Sequence, residues 1–415
     1  MSATLALSDV VALLRGVPTG PLARRSSPSG VARCLKRALP VFGITLGLYL
    51  ACDLAVGLVL GTPHPPVPDI PAVPALRNQS YATARFAADS TLNDRLEFVP
   101  GENMYWQPER RGEYFNVGPL PPTAANYRRT TNPPVAARPT HIVLFIGASD
   151  VYGPFVPDDQ TLPSLLSARL NASDPAHGYI VYNAGVQSTI AVQQLRRLQY
   201  ELDHGLKPDL VILFGGGVDV THGVLEGAPG IPAMGDRGRL SYLLHRYFPA
   251  NTYRWLRKWL SDRATAAGIR KPPAHLNDPG RMSLLIDETA RSYAETLRQM
   301  AALSTAHGAR FMAILEPNLY TTDYTHEAAD IPYADGLATR ENPGVAAAIR
   351  QAWPAMIEAV RELRKEGMDT LDLSGIFRDK TADIYVDFFH INGIGDGILA
   401  TAIADAVRHP ARASD

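Results

Sequence analysis

HIVLFIGASDVYG, residues 141–153, is the stretch on which the fold turns. After His141 five apolar, mostly β-branched or aromatic residues run into a glycine, so 141–146 reads as a buried strand. The small step Gly147-Ala148 then places Ser149 in a strand-to-helix turn, where the backbone N–H groups of the next helix open toward its hydroxyl. Outward from this point the same alternation recurs. A helix over 162–170 precedes a strand at 179–182, which ends in Asn183-Ala184-Gly185. A helix over 190–204, stopped by Gly205, leads to the strand 210–214 and three glycines. A helix at 286–307 precedes a strand at 309–315, and a helix at 346–365 precedes a strand at 368–373. A last helix covers 394–407. Strands alternating with helices predict a parallel sheet covered on both faces, with ligands at the C-terminal strand ends.

Composition narrows the function. The chain has 415 residues, 46% apolar and 20% charged, with a net charge of −1. That balance lacks the basic excess that phosphate binding requires, so no nucleic acid partner is expected. The two cysteines, Cys34 and Cys52, both precede the alternating body, which excludes a cysteine-ligated metal site or a disulfide framework there.

The N-terminal part reads as an address followed by a spacer. Residues 39–61 form an apolar run with one charge, Asp53, long enough for a bilayer core of roughly 30 Å. Arg15, Arg24, Arg25, Arg33, Lys36 and Arg37 precede it and no Lys or Arg follows until Arg77, which keeps the N-terminus cytoplasmic and exports the rest. The expected organisation is a cytoplasmic segment 1–38, a transmembrane helix 39–61, a proline-rich spacer and extended lead-in 62–139, and a catalytic domain 140–415. The corresponding location is the inner membrane, single-pass, with the catalytic domain periplasmic or extracellular. A break in the alternation over 221–285, which contains Trp255 and Trp259, reads as a helical insertion; a lid or a membrane- or glycan-contacting surface is the sharper alternative.

The candidate chemistry comes from separated residues. Asp387 and His390, spaced i, i+3 in VDFFHING, stand just before the last helix. A histidine can take a serine proton when a carboxylate fixes its tautomer and stabilises the imidazolium, so these residues suit Ser149 as nucleophile. A metal-dependent alternative through His204, His222 or His390 lacks a compact ligand cluster.

In four blocks, IGASDVYG, YNAGVQS, FGGGVDV and VDFFHING, the chain resembles the SGNH (GDSL-like) hydrolases from about residue 140 to 408. The resemblance implies a flavodoxin-like three-layer α/β/α sandwich and ester chemistry without metal or organic cofactor. It implies Ser149, Asp387 and His390 as the catalytic set, and the N–H groups of Ser149 and Gly185 as oxyanion donors. Val218 stands where the family has its oxyanion asparagine, with Asn183 as a substitute donor nearby and Asp219 as a structural carboxylate. The implied substrate is an acylated, notably O-acetylated, cell-surface or secreted carbohydrate, handled by an esterase or by an O-acetyltransferase working with a membrane acyl-transfer or polysaccharide-synthesis partner. The rival reading is a non-catalytic envelope protein that binds acylated glycan or a membrane partner.

Overall fold

The computed structural model describes residues 28–60, 73–89, 96–99, 104–135, 138–232, 272–321 and 330–409, with single positions between 252 and 263. The chain divides into two units: Met1–Thr62 with Pro249–Trp255, and Pro63–Phe248 with Leu256–Asp415.

In the first unit a 33-residue helix covers Pro28–Leu60 and continues through Pro40. Its outward side chains include Val41, Ile44, Leu48, Leu54, Leu58 and Val59, whereas Asp53 is buried and accepts a hydrogen bond from the Thr252 N–H at 2.8 Å. Among the described residues no helix is long and apolar enough to cross a membrane. The fold therefore gives no support to the span expected over 39–61, of which Gly61 and the side chains of Leu39 and Phe42 lie outside the described residues.

Among the described residues the second unit holds ten strands: β1 (Glu97–Val99), β2 (Met104–Trp106), β3 (Arg110–Arg111), β4 (Asn116–Pro119), β5 (Asn126–Arg128), β6 (Thr140–Gly147), β7 (Gly178–Gly185), β8 (Leu210–Gly215), β9 (Arg310–Leu315) and β10 (Asp369–Asp372). β1 and β2 pair by themselves; the other eight form one sheet in the order β10-β9-β8-β6-β7-β5-β4-β3. From β10 to β7 every pairing is parallel, so the five parallel strands stand in spatial order second, first, third, fourth, fifth. This is the flavodoxin-like doubly wound order, whose crevice opens beside the first strand, here β6. All of β8 and the last five residues of β6 are buried, as a sheet covered on both faces requires. One face packs under Leu198, Leu297, Met300, Trp353 and Met356, from the helices Ala191–Asp203, Pro279–Ala306 and Val345–Lys365. The other packs under Leu166, Leu170, Leu399 and Ile403, from the helices Leu162–Ser173 and Gly393–Arg408. The result is the three-layer sandwich.

Two boundaries differ from those expected. The stretch read as an extended lead-in before residue 140 supplies β3, β4 and β5, which extend the same sheet antiparallel at the β7 edge. Strands of two to four residues carry too little periodicity to be read from sequence. The helix expected at 286 starts at Pro279, where the Asp278 carboxylate accepts the Arg281 N–H at 3.1 Å, and Thr221–Leu225 continues the turn after β8. The irregular insertion thus falls between residues 226 and 278, and most of it, with the proposed lid, lies outside the described residues.

The antiparallel extension also sets the loop after Ser149. Arg128, at the end of β5, has a fully buried side chain whose Nε donates to Asp158 Oδ1 at 2.7 Å. Its remaining donors go to the carbonyls of Tyr152, Gly153, Val156 and Tyr114, at 3.0–3.3 Å. The guanidinium also lies 4.3 Å from the Phe115 ring centroid. Removing one partner of a buried ion pair leaves the other charge unmet, at roughly 3–5 kcal/mol. Arg128→Met is therefore expected to lower stability by that order, read as a fall in the denaturation midpoint with an unchanged denaturant slope; an unaltered midpoint would rule out the clamp.

Candidate active site

Each functional block lies at the same edge of the sheet. Ser149 opens a short helix, Ser149–Tyr152, directly after β6, and is half-buried. The turn is tight enough to demand glycine at two places. A Cβ on Gly147 would lie 2.3 Å from a Val151 methyl and 2.5 Å from the Phe214 carbonyl oxygen. A Cβ on Gly185 would lie 2.3 Å from the Tyr152 nitrogen. β6 and β7 are in register Gly147 to Gly185, so the two glycines let the nucleophile turn fold down between the strand ends.

Asp387 and His390 meet directly. His390 Nδ1 is 2.6 Å from Asp387 Oδ2, and Asp387 Oδ1 accepts the N–H groups of Phe389 (2.9 Å) and His390 (2.8 Å). Burial pushes the Asp387 carboxyl up, but the facing His390 ring and those two N–H groups outweigh it and hold it below the usual carboxylate range. An ionised Asp387 fixes the imidazole with Nδ1 as donor and Nε2 as the proton acceptor. The loop is anchored on its far side by Asn392, whose Oδ1 accepts the N–H groups of Ile394 and Gly395 while its Nδ2 donates to the Ala75 carbonyl at 2.6 Å. The His390 ring lies against Phe155, centroids 5.3 Å apart at 67°, which joins this loop to the one following Ser149.

The oxyanion side departs from the resemblance at three positions. Val218 is half-buried in the turn after β8 and offers no donor. The Gly185 N–H donates to Asn183 Oδ1 at 3.0 Å, so the donor expected there is engaged within the protein. Asn183 is fully buried, its Nδ2 donating one N–H to the Val151 carbonyl at 2.8 Å and its Oδ1 accepting from Gly185, so its side chain faces the protein interior. Three residues beyond Gly185, Ser188 has φ 58°, the one positive φ at a non-glycine residue among the described residues. It is exposed, and among the described residues its N–H and that of Ser149 meet no acceptor. Sequence reasoning missed Ser188 because a serine gives no sign of left-handed backbone.

Asp219 is structural: both its oxygens accept the Ala191 N–H, at 3.1 and 3.3 Å, at the start of the helix Ala191–Asp203. Two other histidines have local partners, His204 stacked on Tyr200 and His222 on Glu226. Among the described residues no group of three or more His, Cys, Asp or Glu side chains could hold a metal ion. A cleft of about 490 Å³ along β4, β5 and β7, with Arg129, Tyr127 and Tyr182 in its wall, includes none of the residues above.

No family model matches the sequence, and no curated protein matches it. Solved structures do. An alpha/beta hydrolase enzyme from the metagenome of Lake Arreo, Spain, is 17% identical, with a TM-score of 0.38 over 65% of this chain and 96% of that one. An acetylxylan esterase from Geobacillus stearothermophilus is 14% identical, with a TM-score of 0.34 over 66% and 97%. A putative lipolytic protein of the G-D-S-L family from Desulfitobacterium hafniense DCB-2 is 12% identical, with a TM-score of 0.35 over 64% and 98%. At these identities the likeness concerns the path of the chain alone.

Burial pushes Asp219 up to about 7, against the pull of the Ala191 N–H and His222. Because its pKa in the fold is raised, its neutral form contributes stability that is complete below the unfolded value near 4 and lost as pH rises through about 7. Asp219→Asn keeps one acceptor for Ala191 and cannot ionise. Thermal melts are expected to show wild-type Tm falling relative to the variant between about pH 4 and about pH 7; parallel curves would exclude this role.

Proposed function

We propose that this protein is a serine-dependent ester hydrolase or acyl transferase. The observation that carries the reading is the Asp387–His390 pair, 2.6 Å apart, on a loop packed through Phe155 against the loop that follows Ser149. In the first step His390 Nε2 takes the Ser149 Oγ proton as Oγ bonds to the ester carbonyl carbon. The tetrahedral intermediate then breaks its bond to the alcohol oxygen, which leaves with the proton from His390. Water, or a sugar hydroxyl, gives a proton to His390 and attacks the acyl-serine carbonyl; the bond to Ser149 Oγ then breaks, His390 returns the proton to Oγ, and acid or a new ester is released. Asp387 stays ionised throughout and stabilises the imidazolium.

The N–H groups of Ser149 and Ser188 are the proposed oxyanion donors. Ser188 replaces Gly185 in this role, because the Gly185 N–H is already given to Asn183. Val218 leaves the third donor absent, a loss of about 10²–10³ in rate for enzymes that possess one. Acylated, in particular O-acetylated, carbohydrate is the proposed substrate class; it follows the resemblance carried by the four sequence blocks. Placement of the enzyme at the outer face of the inner membrane rests on the apolar run 39–61 and its basic flank, together with the outward apolar side chains of that helix, which require cover from water. The competing reading, a non-catalytic protein that binds acylated glycan or a membrane partner, draws its support from Val218.

Labelling by a fluorophosphonate, with release of acetate from aryl acetates and acetylated oligosaccharides, decides between them. Wild type is expected to label and to hydrolyse, and Ser149→Ala to do neither; a wild type inert in both assays leaves the binding reading standing. Val218→Asn is expected to raise kcat by about tenfold or more with little change in KM, since its amide would act on the developing oxyanion. An unchanged kcat would mean that another group already fills that position. Alkaline carbonate extraction tests the tether separately: recovery in the pellet is expected, and recovery in the supernatant would remove the membrane placement without touching the ester chemistry.

A further inference from the structure

The cleft along β4, β5 and β7 includes neither Ser149 nor His390 in its wall, and the chemistry above makes no use of it. Its shape follows from the way two strands part. β5 pairs with β7 at a single register position, Arg128 to Asn183, and the chain then turns away. The gap is propped at its far end by Asn132, whose Oδ1 accepts the Val181 N–H at 2.9 Å while its Nδ2 donates to the Val181 carbonyl at 3.2 Å. One side chain thus takes the place of a paired strand, beside an opening of about 490 Å³.

Side-chain alternation decides what faces that opening. From the pairing of Arg128 with Asn183, Tyr127 and Arg129 stand on the same face of the sheet as Ile180 and Tyr182. The Tyr127 and Tyr182 rings meet there, centroids 5.3 Å apart at 66°. The Arg129 N–H prolongs the ladder to the Asn116 carbonyl at 2.7 Å. The helix Ala191–Asp203 covers this face as far as Tyr127, whose hydroxyl is bonded to Glu201. Past Tyr127 the cover ends: a Cβ on Gly118, its partner on β4, would meet nothing within 4 Å. Tyr182 is half-buried and Leu120 exposed along the same wall.

The rim is basic. Three of the four charged side chains around the cleft are arginines. Arg110 is held by Asp89 at 2.9 Å, and Arg111 lies 3.7 Å from the fourth, Glu109, with both well exposed. Arg129 is exposed, and among the described residues its guanidinium meets neither a carboxylate nor a carbonyl. An open cation beside an apolar wall suits a ligand that brings both an anion and an apolar face. A uronic acid ring is such a ligand: its C–H face matches a tyrosine ring, and its carboxylate accepts two N–H groups of one guanidinium. Tyr182 stands three residues before Gly185 on β7, about 10 Å at the rise of a strand, and Gly185 lies against the Ser149 turn.

We propose that this cleft is a second binding site, for an acidic glycan strand, in which Tyr182 receives the face of a sugar ring and Arg129 its carboxylate. The proposal rests on the carbohydrate reading above for the class of ligand, and not on ester cleavage. It adds a negative charge to the glycan and a point of attachment away from the reacting ester.

Calorimetric titration of the full-length protein tests it, with tetragalacturonate, which carries no ester, and xylotetraose as the neutral counterpart. Sodium sulfate and phosphatidylglycerol vesicles are the anions without sugar. Wild type is expected to bind tetragalacturonate about tenfold more tightly than xylotetraose, the scale of one charge-assisted pair. Arg129→Gln is expected to remove that preference and Arg129→Lys to restore part of it. Gly118→Phe fills the open floor at a position with no left-handed backbone to strain, and is expected to abolish binding of both sugars. Arg129→Gln, at an exposed side chain, decides independently of any effect of Gly118→Phe on folding. The proposal is overturned if the two sugars bind alike, if Arg129→Gln keeps the preference, or if sulfate or the vesicles bind as tightly as tetragalacturonate. The ester reading fails or stands separately: a protein that releases no acetate yet binds tetragalacturonate through Arg129 loses the serine chemistry and keeps the cleft, and the reverse result overturns the cleft alone.

Discussion

A guanidinium sealed from water has to have its donors met, and Arg128 meets that demand with Asp158 and four backbone carbonyls. Three of those carbonyls, from Tyr152, Gly153 and Val156, belong to the segment immediately after Ser149. The segment has little regular structure of its own, since the helix at Ser149 ends after four residues at Gly153 in a left-handed turn. Its conformation is therefore imposed from outside by β5. The same segment carries Phe155, the residue in contact with the His390 ring, so the clamp at Arg128 reaches His390 through one aromatic contact. The antiparallel extension of the sheet is thus part of the support of the candidate site.

This explains which parts of the molecule were legible in the sequence. The strands β6, β7, β8 and β9 announce themselves because a strand buried on both faces must be continuously apolar, and because each stops at a glycine, an asparagine or a polar turn. The pairing of Asp387 with His390 was legible for a chemical reason, since an imidazole in a buried loop needs a carboxylate to fix its tautomer, and the two meet at 2.6 Å. Residues 104–135 were illegible, because strands of two to four residues draw their stability from neighbours distant in sequence. Arg128 reads as a surface residue until its partner Asp158, thirty positions away, is known. Gly185 was assigned as a donor from its block, whereas the space it must leave for Tyr152 explains the glycine equally well; only the bond to Asn183 separates the two. In ILEPN, Glu316 looks like the first solvated residue after a strand, and nothing local says that it is buried.

The departures at Val218, Gly185 and Glu316 bear on one another. Where an asparagine side chain supplies an oxyanion donor, its amide also has to be held in position by the protein around it. With valine at 218 that requirement disappears, and the turn after β8 is held through its backbone instead, by the Gly217 N–H bonded to Glu316. The exchange moves polarity from the substrate side of the turn to its buried side. Burial foremost, with Asp150 and Asp219 as neighbours, pushes the Glu316 carboxyl well above its ordinary range, against the pull of the Gly217 N–H. In the proposed reaction the chemistry falls on Ser149, His390 and backbone N–H groups, so the position of the peptide backbone around Ser149 would set how well a developing oxyanion is met. Backbone donors cannot reorient individually as side chains do, and their alignment follows the fold as a whole. In such a site the clamp at Arg128 and the Gly217 N–H bond to Glu316 act on the same variable, the relative placement of the turns after β6 and β8.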